Sequence, residues 1–116
     1  MPSGSKTTPS RGRIRRSERS VAYLPVLVRG LGGDGRSFEE ETRTIVLSLY
    51  GALITLLTPV ELERRIFLTN LATREEQECR VVHIGKRRGE RTELAVEFVR
   101  PSPGFWRNAR PTFGDA

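Results

Sequence analysis

Residues 65–99, RIFLTNLATREEQECRVVHIGKRRGERTELAVEFV, decide the architecture. They hold three strand-like runs, Arg65–Leu71, Glu76–Ile84 and Thr92–Val99. Between them lie Ala72-Thr73-Arg74 and Gly85-Lys86-Arg87-Arg88-Gly89, both turn chemistry. Nothing in this stretch has the periodicity of an amphipathic helix, so the runs are predicted to pair as antiparallel hairpins.

Working outward toward the N-terminus, the pattern repeats. Val21–Arg29 is β-branched and apolar and alternates through Leu24, Val26 and Val28, with Pro25 expected at an edge or bulge because it cannot donate to a ladder. The loop Gly30-Leu31-Gly32-Gly33-Asp34-Gly35 follows. Its glycines fit a G-x-G-x-x-G phosphate fingerprint, but that fingerprint needs a helix at the loop, and the acidic, strand-like Arg36–Thr42 stands there instead. Arg36–Leu47 is the second strand, with Thr42, Thr44 and Val46 on one side and Arg43, Ile45 and Leu47 on the other; Ala52–Leu57 is the third, closed by Pro59.

Six short strands within about 80 residues and no intervening helix predict an all-β fold, a six-stranded antiparallel closed β-barrel. Closure removes unpaired edges, and Val26, Val28, Leu94, Val96 and Phe98 are expected inside. Beyond Pro101 and Pro103, a short C-terminal helical turn within Gly104–Ala109 is expected to plug one barrel end with Phe105 and Trp106.

Composition excludes several function classes. At 116 residues the chain supports one domain, and catalytic architectures such as α/β barrels need roughly twice that length. One cysteine and one histidine, Cys79 and His83, allow neither a disulfide framework nor a converging zinc site, and both are read as strand residues filling a barrel face. No nucleophile, base and orienting group can be assembled around one histidine, so the chain is read as no enzyme and as needing no cofactor. The longest apolar stretch, Ile45–Leu57, spans 13 residues and falls short of a membrane span, so no membrane insertion is expected. Val21–Val28 imitates a signal peptide but lacks a cleavage pattern, which leaves a cytoplasmic location as the expectation.

Charge is concentrated at one end. Residues 1–20 carry six bases and one acid, whereas the remaining 96 residues carry 14 bases and 13 acids. Residues 1–14 are therefore predicted to form a flexible, disordered basic N-terminal tail, residues 15–106 the barrel domain with its arginine segment, and residues 107–116 a C-terminal tail. An arginine-rich arm on a neutral body suits an anionic ligand.

Two short patterns bear on which anion. Arg15 and Arg19 make R-x-x-x-R before the first strand, and Ser48 with Gly51 makes S-x-x-G between the second and third. With a Pro25-Val26-Leu27-Val28 first strand, the Ser48-Leu49-Tyr50-Gly51-Ala52 turn and a last strand ending Val96-Glu97-Phe98, the stretch from about Arg15 to Trp106 resembles the PilZ domain family of cyclic di-GMP receptors. The resemblance implies cyclic di-GMP as ligand, Arg15 and Arg19 as guanine and phosphate clamps, Arg16 as a further phosphate contact, a hydroxyl donated by Ser48, and a Gly51 turn that lets backbone approach the ligand. Arginine's planar fork suits both phosphate and the guanine N7/O6 edge. Where the family carries Asp or Asn two residues before the serine, this chain has Val46, which offers no acceptor; leaving a buried donor unpaired costs roughly 1–3 kcal/mol. The resemblance therefore admits two functions: a second-messenger receptor whose ligand orders the arginine segment against the barrel and signals to a downstream protein partner, or a degenerate barrel that no longer binds nucleotide and acts as a protein-protein interaction module. Nucleic acid is disfavoured, because the strands lack paired aromatics at stacking spacing.

Overall fold

Alternating apolar residues give each run one face to bury, and the runs bury it against one another. The computed structural model describes residues 19–109, within which β1 is Ser20–Val21, β2 Pro25–Leu31, β3 Ser37–Ser48, β4 Gly51–Leu56, β5 Arg65–Asn70, β6 Glu75–Arg88 and β7 Arg91–Phe98, followed by a 3-10 turn at Arg107–Ala109. Every pairing is antiparallel. The order β3-β2-β5-β6-β7-β4, with β4 returning to β3, closes the predicted six-stranded barrel. The expectations for the tail, Arg15 and Arg16 included, lie outside the described residues. Among the described residues no helix is long and apolar enough to cross a membrane.

Inward positions follow the cross-strand register. Val28 pairs with Leu68, Ile66 with Cys79, Val81 with Val96 and Ile54 with Leu94, and all eight are buried. Val26 joins them, and Phe98 packs against this core from a partly buried position. Phe105 and Trp106 are buried at one end, as expected; the Trp106 indole Nε1 donates to the Gly51 carbonyl at 3.1 Å. Asn70, also fully buried, donates through Nδ2 to the Phe105 carbonyl at 2.9 Å and to Asn108 Oδ1 at 2.8 Å. A polar side chain is tolerated in this core because its hydrogen bonds are made.

The first predicted strand is interrupted. β1 and β2 run along the same flank of β3, and Ala22–Leu24 loop out between them. Thr44 fills the gap: its hydroxyl donates to the Ala22 carbonyl at 2.6 Å and accepts from the Leu24 amide at 2.9 Å. Pro25 then begins β2, where its missing donor breaks no ladder. Thr44→Val keeps the shape and leaves both backbone groups without that partner, so we expect a loss of about 1–3 kcal/mol, read as a lowered thermal midpoint; an unchanged midpoint would mean that water satisfies both groups.

Three register shifts depart from simple alternation. A bulge between Thr44 and Val46 lets Thr42, Thr44 and Leu47 all be buried while Val46 is half-exposed, so Val46 does not share a side with the threonines as the two-residue period required. Another between Val81 and His83 parts Cys79 from His83: the thiol is buried and the imidazole exposed. The last lies between Ile84 and Arg87. The expected five-residue turn at Gly85–Gly89 is in fact mostly strand, because Arg87 and Arg88 pair with Thr92 and Arg91 and the tip shrinks to Gly89-Glu90, with Gly89 at φ 66°.

Candidate functional site

A cleft of about 290 Å³ lies beside the β3–β4 turn, and Arg19 and Ser48 both line it. Register explains why they meet. Ser20 pairs with Leu47 and Val21 with Val46, and the same step carried outward sets Arg19 level with Ser48. The cleft floor is built from outward-facing residues of the wall: Val46 from β3, Leu53 from β4, Val82 from β6 and Ala95 from β7, all half-buried. Tyr50 and Glu97 complete its polar edge.

The turn is locally built. Ser48 pairs with Gly51, leaving Leu49 and Tyr50 at the tip, and Ser48 Oγ accepts from the Tyr50 amide at 3.1 Å. That bond engages the oxygen and leaves the hydroxyl proton to donate elsewhere. The Tyr50 side chain is 62% exposed, while its carbonyl accepts from the Phe98 amide at 2.8 Å and ties the tip to the end of β7.

Gly51 is buried, and a Cβ placed there would stand 1.9 Å from the Val96 carbonyl oxygen. The close approach that it permits in this structure is therefore of β7 backbone to β4. Arg15 and Arg16 lie outside the described residues, so of the arginines read from the motif only Arg19 can be placed. The motif gave no hint of Tyr50, Leu53, Val82, Ala95 or Glu97 as cleft residues. Cross-strand register links three of them, since Leu53 opposes Ala95 and Gly51 opposes Glu97.

The single cysteine, Cys79, is buried and does not line the cleft. Burial, with a smaller contribution from the charge of Glu78, pushes the Cys79 thiol up to about 12, so it stays protonated inside the barrel.

No family model matches the sequence, and no curated protein matches it. Solved structures do. The PilZ domain with c-di-GMP of YcgR from Escherichia coli superposes with a TM-score of 0.57 at 20% identity, over 90% of this chain and 100% of that one. The PilZ domain of CeSA from a cellulose-synthesizing bacterium gives 0.50 at 21% identity, covering 83% and 95%. This chain has the PilZ fold. The Bacillus subtilis inhibitor of motility MotI/DgrA gives 0.55 at 16% identity over 91% of this chain, and the PilZ barrel described here spans only 50% of that protein's length.

Proposed function

We propose that this PilZ barrel is a non-catalytic receptor module for cyclic di-GMP. The observation that carries the reading is the cleft that holds both Arg19 and Ser48; Gly51, the third motif residue that can be placed, packs against the β7 backbone and does not line it. A guanidinium and a free hydroxyl proton facing one apolar-floored cleft suit a ligand with phosphodiester charges and flat purine bases. The Escherichia coli neighbour, a PilZ domain with c-di-GMP, supports the choice of ligand. In this reading Arg15 and Arg16 add their charges when the dinucleotide draws their segment onto the cleft. Ordering that segment costs roughly 1–2 kcal/mol per residue, which several arginine contacts of about 1–3 kcal/mol each offset. The ordered segment is the signal that a downstream protein reads.

Arg19→Ala is expected to weaken cyclic di-GMP binding about tenfold or more while leaving the thermal midpoint unchanged, because Arg19 is exposed and precedes the barrel. Calorimetric titration measures the first and a melting curve the second. Equal affinity in the variant would move the site away from this cleft. The second reading, a barrel used only for protein contacts, is favoured by one observation: Val46 faces the cleft with no acceptor. A wild-type protein that gives neither heat nor thermal shift with saturating cyclic di-GMP would overturn the first reading.

A further inference from the structure

The cleft beside Arg19 presents four side chains that can hydrogen-bond, those of Arg19, Ser48, Tyr50 and Glu97. The first three can donate, and Glu97 is the one carboxylate among them. Its surroundings leave it available. Across the sheet its partner on one side is Gly51, so the position opposite it, at the end of the Ser48–Gly51 turn, carries no side chain. On the other side its partner is Arg80, at 3.8 Å, with the two side chains 54% and 48% exposed. So long and exposed a pair holds its members weakly.

Guanine supplies what such a carboxylate lacks. Its pairing edge carries N1–H and N2–H₂ side by side, and the two carboxylate oxygens can accept from both at once. Adenine presents a bare N1 acceptor at the corresponding position, which would face the carboxylate with repulsion. We infer that Glu97 is a specificity-determining residue of the dinucleotide cleft, its carboxylate accepting the guanine pairing edge; this rests on the receptor reading above. The same charge orients the ligand, because phosphates are driven away from Glu97 and toward Arg19.

Calorimetric titration of the full chain with cyclic di-GMP and cyclic di-AMP tests the assignment. Glu97→Gln is expected to lose about tenfold or more in affinity for cyclic di-GMP and to bind cyclic di-AMP at least as well as wild type, since the variant removes both the acceptor pair and the repulsion. Arg80→Met separates this role from a structural one: it is expected to stay within about twofold of wild type for cyclic di-GMP, whereas a Glu97 that merely braced β6 against β7 would show equal losses in both variants. Cyclic di-GMP affinity unchanged in Glu97→Gln, or both dinucleotides weakened alike, overturns the inference and leaves the receptor reading standing. No wild-type binding of cyclic di-GMP overturns the receptor reading and Glu97's role together.

Discussion

Gly51→Ala is expected to destabilise the barrel by about 3 kcal/mol, the upper end of what overpacking costs, and to lower the thermal midpoint by about 12 °C or more. The added Cβ would lie 1.9 Å from the Val96 carbonyl oxygen and 2.9 Å from both the Val96 carbonyl carbon and Glu97 Cα. All three atoms are backbone, so no side chain can rotate aside and relief requires β4 and β7 to separate. Those strands form part of the closed ring, and separation also pulls the Gly51 carbonyl from the Trp106 indole, loosening the aromatic plug. Circular dichroism melts of the two proteins measure the effect. A midpoint within about 2 °C of wild type would mean that the β7 backbone yields without cost.

Phe105→Ala is expected to cost about 3–5 kcal/mol, a large share of the 5–15 kcal/mol that a whole domain commonly has. The ring is 1% exposed and meets Phe98 and Trp106 edge-on, with centroids 5.1 and 4.7 Å away. Truncation empties the centre of that trio. It also frees the segment whose carbonyl anchors Asn70, leaving a fully buried amide group exposed to loss of its partner. Denaturant titration should show a lower midpoint with an unchanged slope. A loss below about 1 kcal/mol would place the C-terminal turn outside the cooperative unit.

Most of the barrel is legible in the sequence because every strand is bounded by residues that favour turns. Closure follows from strand number and from the lack of any helix to cover an open face. The bulges at Ile45 and Val82 are not legible: one extra residue leaves no mark in composition or in the local pattern. The first bears directly on the site, because it turns Val46 outward into the cleft floor, whereas the second turns His83 away from the core. Lys86, Arg87 and Arg88 read as a turn by their charge, yet cross-strand pairing extends the hairpin through them. Arg19 and Ser48 came together through the family resemblance of their two motifs, whereas Glu97 needed the β4–β7 register, a long-range property that no local pattern encodes.

The leading strand, β1, has only two ladder pairs, Ser20 with Leu47 and Val21 with Val46, before the ladder breaks at Ala22–Leu24. So short a ladder is a latch that thermal motion can peel while the ring behind it stays intact. Because Arg19 rides on that latch, any occupant that grips its guanidinium also fastens the strand.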